Sequence, residues 1–376
     1  MQPAASRASL GWILLILMVL APASSGAKTP AAAAARASTA STQNGQLTDR
    51  TASTAAPLTD DALVLTVGSR PVYWSEYRFW LTYLGRYYKS AHGLSSISDW
   101  RAQQDGVELK ESFLRTATAY VCNDTAIEAQ STAAGIQLAP EDLAELARTR
   151  ADNIRIYGSY PEYLRIVGSM YGSEAQFQYL ARIDRLSSYL FAHLYGSGGE
   201  RCSDDCVTQY IEAQGLSAVL YIFRSHTDAS GNAVTAQQRR SNYQLLKQLH
   251  ARLRASSSPA ALFSRLMARY SDDSSLGDYP DGRIIARGSK GAEFDRALES
   301  LADNAYSDVI SAAAGDYLIL RKPLSVTMAV DNSGTTLRYW AAYQGLFKPQ
   351  IDRWCADLPI QYSDSFQHID VEALLR

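Results

Sequence analysis

Histidine, paired carboxylates, cysteine and tyrosine are the residues here whose types and spacing could do chemistry. The five histidines are His92, His193, His226, His250 and His368, and none makes a metal-ligand spacing with a cysteine or a carboxylate pair. His226 follows a short apolar run and reads as a solvated or supporting group rather than a catalytic one. The acid pairs Asp204-Asp205 and Asp272-Asp273 fall at expected helix ends, where capping and helix-dipole roles account for them. No Gly-rich phosphate loop, nucleophile elbow or HExxH motif occurs, so neither metal nor other cofactor is expected. Four Cys allow three pairings, and Cys202 and Cys206, four residues apart at a helix start, are close enough for a local bridge. Twenty-three Tyr stand against nine Phe. A phenol offers aromatic area with a tip that both donates and accepts, which suits wet, peptide-like contact surfaces as well as core edges.

The elements that must position these groups come from 376 residues, enough for two or three domains at roughly 100–200 residues each. A net charge of -2 and a pI near 6.2 carry no basic excess, which argues against nucleic acid as the main partner. Composition excludes collagen, disulfide-dense miniproteins, multi-span membrane proteins and wholesale disorder. Arg7 and the amino terminus precede the apolar run Leu10 to Ala21, too short to span about 30 Å of hydrocarbon comfortably. Small residues follow, and Ser25-Gly26-Ala27 fits a cleavage site. Residues 1–27 therefore read as a secretory signal, with an uncleaved anchor as the alternative, which places the protein outside the cytoplasm, secreted or associated with the cell envelope. Residues 28–60, rich in Ala, Ser and Thr, bury too little to offset their ordering entropy and are expected to form a flexible tether.

From residue 61 to 198 the pattern is helical. Leu63 to Gly68 reads as a strand entering a turn closed by Pro71-Val72, and Ser75 is placed to cap a helix carrying Tyr77, Trp80, Leu81, Leu84 and Tyr88. A second helix is expected from Val107 to Ala134, ending at Gly135. Pro140 opens a third with Leu143 and Leu146 inward, Tyr157 to Tyr163 breaks the pattern, and Phe177, Leu180, Ile183 and Leu190 mark another helix. From Ser217 the pattern changes. Ala218 to Phe223 reads as a strand covered on both faces. Thr235 to Gln238 is a capping box before a helix bearing Leu245, Leu246, Leu249 and Leu253. Ser258-Pro259 starts the next helix, Pro280-Asp281-Gly282 turns into the strand Arg283 to Ile285, Phe294 to Leu301 is helical, and Tyr317 to Leu320 is a closing strand. A further strand is expected near Val309, and the whole is a compact α+β domain.

Tyr270 to Ser275, Pro280-Asp281-Gly282, Gly288, Phe294, Ala297, Leu301, Ser307 to Ile310 and Gly315, in that element order, resemble a parvulin-type (PpiC-like) peptidyl-prolyl cis-trans isomerase domain. Val67 to Val72 before an aromatic helix is similar to the chaperone module of SurA/PrsA-type secreted foldases, to which a C-terminal segment returns; Leu337 to Leu358 is the candidate returning helix. The resemblance implies a helical chaperone module (61–198), an inserted parvulin-like domain of antiparallel sheet and helices (208–325), and a C-terminal segment (326–376) packing on the N-terminal module. It also places Cys122 and Cys355 in one module, where they could pair. The aromatic density from Tyr73 to Tyr88 would then offer a client surface, core packing being the plain alternative.

Family positions carry over one at a time. The resemblance puts Tyr221 and Tyr317 where the family has two His, and Asp273 where it has an acid or thiol; Lys290 stands for a pocket Met, Phe294 keeps the aromatic, and Ala314 stands for a hydroxyl residue. Strand alternation puts Tyr221 and Tyr317 on one sheet face with Phe223 and Ile319. Tyr221, Asp273 and Tyr317 are thus the candidate catalytic residues, and Lys290, Phe294 and Ala314 the candidate substrate contacts. The implied function is an extracytoplasmic folding factor for unfolded or proline-containing polypeptides. Three readings remain: a non-enzymatic holdase with a degenerate isomerase site, an active isomerase using Tyr, and a structural protein without clients. The two His-to-Tyr replacements favour the first. Neither clients nor oligomeric state can be read from the sequence.

Overall fold

The computed structural model describes residues 58–104, 106–331 and 333–375, so the leader at 1–27 and nearly all of the tether at 28–60 lie outside the described residues. The fold is α+β. It divides into two compact units: one reaches Leu194 and resumes at Lys348, the other spans Tyr195–Phe347.

The first unit starts with the antiparallel hairpin β1 (Leu63–Val67) and β2 (Arg70–Tyr73), turned at Gly68, whose φ is +60°. The helix α1 (Trp74–Ala91) follows directly, with Tyr73 rather than Ser75 at its cap position and no side-chain cap. A two-residue hairpin, β3 (Gln103–Gln104) and β4 (Val107–Glu108), leads into α2 (Leu109–Ala133). Then come α3 (Pro140–Ile156), α4 (Tyr160–Tyr171) and α5 (Glu174–Tyr195). The chain returns to this unit with α11 (Lys348–Ala356), β9 (Ile360–Tyr362) and α12 (Val371–Leu375). β9 pairs antiparallel with β1, completing the order β2-β1-β9.

Helix α1 is enclosed on several sides. Trp80 stacks on Tyr120 of α2 at 4.5 Å, Phe79 on Tyr171 of α4 at 5.9 Å, and Leu375 of α12 fits over Gly85, where an added Cβ would come within 2.9 Å. Tyr77, Phe79 and Trp80 are therefore core, and the aromatic stretch Tyr73 to Tyr88 is not the open client surface that its density suggested; Tyr73 and Tyr87 are its exposed members. Two further expectations are corrected. Leu143 is 52% exposed, because α3 buries only Asp142 and Asn153 and has no layer over its Leu143 side. The region Tyr157 to Tyr163 does not merely interrupt the helices: Pro161 lies in the first turn of α4, where its missing N–H costs nothing, and Ser159 caps the Glu162 amide at 3.3 Å. Cys122 of α2 and Cys355 of α11 form a disulfide, Cα atoms 5.5 Å apart across 233 residues of sequence.

A polar cluster sits among these helices. The Arg70 guanidinium forks both Glu76 oxygens at 2.8 and 2.9 Å and lies 4.7 Å above the Tyr179 ring. Asp124 Oδ2 and the Tyr179 hydroxyl are sealed from solvent without a hydrogen-bond partner. Burial pushes the Asp124 carboxyl well above its usual 3.8, neighbouring Glu76 and Glu128 add to the rise, and Arg70 only partly offsets it; burial likewise raises Glu76. A carboxyl raised in the folded state supports folding fully below its unfolded pKa and loses that support as pH climbs from about 3.8 through the raised value. Hydrogen exchange of α2 amides is therefore expected to speed up beyond its intrinsic rate as pH rises above the ordinary carboxylate range, and less so in Asp124→Asn. Equal protection slopes in both proteins would refute this.

The second unit opens with α6 (Asp204–Gln214), capped by Ser203, whose Oγ accepts the Cys206 N–H at 3.2 Å. Strand β5 (Leu216–Ser225) is the sheet's central, doubly covered strand, with Ala218 to Ile222 buried. Thr235 caps α7 (Ala236–Arg254) by accepting the Gln238 N–H at 3.1 Å, and α8 (Pro259–Tyr270) follows. After a 3-10 turn (Ser274–Asp278) come β6 (Arg283–Ala286), α9 (Ala292–Glu299), β7 (Ile310–Ser311) and β8 (Gly315–Lys322). The sheet is antiparallel in the order β6-β5-β8-β7. The sulfurs of Cys202 and Cys206 lie 2.6 Å apart, closer than two separate thiols pack and within easy reach of the local bridge. The expected single helix Leu337 to Leu358 is broken into α10 (Leu337–Trp340), a π-helical segment (Ala341–Phe347) and α11. Within the π segment Gly345 lies under the Tyr210 ring, where a Cβ would approach Cδ2 to 2.9 Å. The compact second unit runs to Phe347, beyond the change at residue 326 read from the sequence.

Candidate functional site

Alternation along β5 and β8 sets the site. Tyr221 lies opposite Ile319 and Phe223 opposite Tyr317, so these four side chains share one sheet face. All but Phe223 are buried, and a helix covers the face: Phe294, on the first turn of α9, meets Tyr317 edge-on at 5.2 Å and Tyr221 at 6.0 Å. Tyr221 and Tyr317 meet edge-on at 5.8 Å, and Phe223 stacks on Tyr317 at 4.7 Å. Such offset and edge-on pairs add about 0.5–1.5 kcal/mol each beyond their burial. The space over the sheet is filled with aromatic rings.

Asp273 reaches this group from the end of α8. The segment Ser271 to Asp273 is tied to β5: Ser271 Oγ accepts the Phe223 N–H at 3.1 Å, and the Asp272 N–H donates to the Phe223 carbonyl at 2.8 Å. Asp273 then caps the 3-10 turn, accepting the Ser275 N–H at 3.1 Å and its hydroxyl at 2.5 Å on Oδ1. Its Oδ2 accepts the Tyr221 phenol at 2.6 Å. Burial alone would raise the Asp273 pKa, but the hydrogen bonds from Ser275 and Tyr221 outweigh it and hold the group below the usual value. Burial, then donation to that carboxylate, pushes the Tyr221 phenol well up; burial and the Asp273 charge raise Tyr317. Both phenols are neutral at neutral pH, and Tyr221 is the one that donates to Asp273.

Lys290 closes the outer side. Its Nζ lies 5.0 Å from the Tyr221 ring centroid, a cation over an aromatic face. Burial lowers its pKa, Arg283 adds to the lowering, and Asp273 opposes it. Ala314 stands elsewhere, exposed in the turn before β8, its carbonyl accepting the His226 N–H at 2.9 Å. Gly315 beside it cannot be replaced without movement, since a Cβ would meet the Arg224 carbonyl at 2.3 Å and Phe223 at 2.4 Å. Tyr221, Tyr317, Asp273, Phe294 and Lys290 thus converge.

Several partners escaped sequence reasoning. Arg283 lies 3.9 Å from Asp273 Oδ2 and donates to Ser275 Oγ at 3.2 Å. It gets there because β6 pairs Arg283 with Val219, a register no local signal gives. Arg224 holds Asp272 at 2.6 Å, and His226 faces the buried Asp316 at 3.4 Å, which also accepts the Ser311 hydroxyl at 2.5 Å. His226 is thus a supporting group at the strand end. Among the described residues no cluster of three or more His, Cys, Asp or Glu is placed to hold a metal ion, and no helix is long and apolar enough to cross a membrane.

No family model matches the sequence, and no curated protein matches it. Among solved structures the chain is similar to PrsA from Bacillus subtilis, at 16% identity over 69% of this chain and 91% of that one, with a TM-score of 0.29. It is similar to the foldase protein PrsA from Streptococcus pneumoniae, at 14% identity over 69% and 91%, with a TM-score of 0.32. A third similarity is to a structure described as SurA-like chaperones of Campylobacter jejuni, at 11% identity over 80% and 99%, with a TM-score of 0.27.

Proposed function

We propose that this chain is an extracytoplasmic folding factor: residues 61–198 with the C-terminal segment form a client-holding module, and residues 208–325 a parvulin-like domain whose isomerase site is degenerate. The observation that carries the second half is the closed aromatic cluster. A prolyl isomerase has to bind the twisted imide better than either planar isomer, lowering a barrier of about 18–20 kcal/mol without covalent change. That requires room for a pyrrolidine ring beside polar groups. Here Tyr221, Tyr317 and Phe294 occupy the room, and the Tyr221 hydroxyl is already committed to Asp273. Lys290, half-buried, sets a cation 5.0 Å over the Tyr221 ring, at the position where the resemblance has an apolar pocket residue. The leader read at residues 1–27 supports export. Exposed apolar groups on α3 and α4, among them Ile156, Tyr160 and Leu164, are the surface we assign to clients in place of the Tyr73 to Tyr88 stretch.

A proline-limited refolding assay beside an aggregation-suppression assay tests both halves on the mature chain. The expected result is slowed aggregation of an unfolded client at several-fold excess, with little or no acceleration of the proline-limited phase. Failure to protect any unfolded client would end the holdase reading. One contact favours the alternative of an active isomerase using Tyr, the 2.6 Å phenol–carboxylate hydrogen bond. Robust activity abolished in Tyr221→Phe would establish it.

A further inference from the structure

We infer that Cys202 and Cys206 form a dithiol site that undergoes exchange with low-molecular-weight disulfides, with Cys206 as the entry sulfur and Cys202 as the closing one. The two sulfurs lie 2.6 Å apart, closer than two separate thiols pack, so the pair is already set for bond closure. Their surroundings differ. Cys202 is 1% exposed, whereas Cys206 is partly open in the first turn of α6. The Cys206 N–H is held by the Ser203 cap, which fixes the first turn and with it the sulfur's position. Around Cys202 the backbone is pinned as well: its N–H donates to the Gly199 carbonyl at 2.9 Å, and its own carbonyl accepts Arg338 Nη1 at 2.5 Å. Arg338 also pairs with Asp204, so one guanidinium ties the Cys202 carbonyl to the first residue of α6. Burial, together with the neighbouring Cys206 thiol, raises the Cys202 pKa, which keeps it a protonated bystander until Cys206 has reacted.

The chemistry balances as follows. The Cys206 thiolate attacks a disulfide RSSR, a Cys206–SR bond forms, the S–S bond breaks, and RS⁻ leaves and takes a proton. Cys202, giving up its proton, attacks Cys206 Sγ, expels the second RS⁻ and closes the Cys202–Cys206 bond. The protein loses two electrons and two protons, and RSSR becomes two RSH. The Cys122–Cys355 disulfide takes no part.

The test uses the full chain with oxidised glutathione as the probe, quenched by alkylation and read by peptide mass mapping. Wild type is expected to lose both alkylatable thiols in an intramolecular Cys202–Cys206 bond with no glutathione retained. Cys202→Ser should accumulate glutathione on Cys206. In Cys206→Ser, modification of Cys202 should be at least about tenfold slower, as its burial requires. Three results would overturn the inference: wild type that keeps both thiols alkylatable under conditions that modify a free cysteine peptide, wild type that stops at a stable Cys206–glutathione adduct, or variants whose rates rank in the reverse order.

Discussion

Tyr221→His, Tyr317→His and Lys290→Met together are expected to raise the chain's prolyl isomerisation rate by at least about tenfold, or roughly 1.4 kcal/mol of transition-state stabilisation. Each change answers a particular obstruction. Tyr317 packs between Phe223 at 4.7 Å and Phe294 at 5.2 Å, so an imidazole there withdraws the hydroxyl end of a ring and opens space beside Phe294. Tyr221 is held by Asp273; an imidazole in its place keeps a donor toward that carboxylate while shortening the reach. Asp273 stays fixed by Ser275 whichever ring faces it. Lys290→Met takes the cation away from the position 5.0 Å above the residue 221 ring and supplies a soft apolar wall. Trimming two buried aromatics weakens the domain, so amide exchange in β5 and β8 is measured alongside to show that it remains folded. A folded triple variant with no more activity than the parent would refute the proposal that ring packing over the sheet is what limits isomerisation.

That these side chains come together could be anticipated in part because several of their determinants are local. Tyr221 and Phe223, and Tyr317 and Ile319, pair by face because alternate strand residues point the same way, and the β5–β8 register then puts the two pairs on one face. Asp273 follows α8 in a stretch whose turn chemistry is equally visible. Arg283 was hidden because its approach depends on which residue of β5 it faces. The same distinction separates the elements. Thr235 and its helix were legible from a cap and a stripe, whereas β9, three residues long, exists only because β1 offers it a free edge. Leu143 was misread as inward because an apolar stripe implies a covering layer, and α3 has none over that side. The aromatic density of α1 was misread in the opposite sense: α2, α4 and α12 surround it, and a helix so enclosed buries more than one face.

The Cys122–Cys355 disulfide is expected to contribute about 4–5 kcal/mol to the stability of the first unit, the largest single contribution to be sought by mutation. Chain entropy sets the scale. The bond spans 233 residues, but the second unit, Tyr195–Phe347, lies wholly inside that loop. If the second unit stays folded while the first unfolds, only the residues between Cys122 and Leu194 and those from Lys348 to Cys355 become flexible, about 80 in all, and a loop of that length still costs about 4.5 kcal/mol to close. The location matters as much as the length. Without the link, α11 must return across an entire folded unit to find α2, and it carries β9 and α12 behind it, one completing the first sheet and the other seating Leu375 on Gly85. Cys122 is fully buried, so Ala is the appropriate replacement at both positions, since Ser would bury an unpaired hydroxyl. In Cys122→Ala/Cys355→Ala, amide exchange in α1, α2 and β1 should accelerate by on the order of a thousandfold, while β5 and β8 keep wild-type protection. Reduction of the wild type should reproduce the pattern. A change of less than about tenfold in the first unit would show that its core holds the returning segment without the bond, and equal losses in both units would show that they unfold as one.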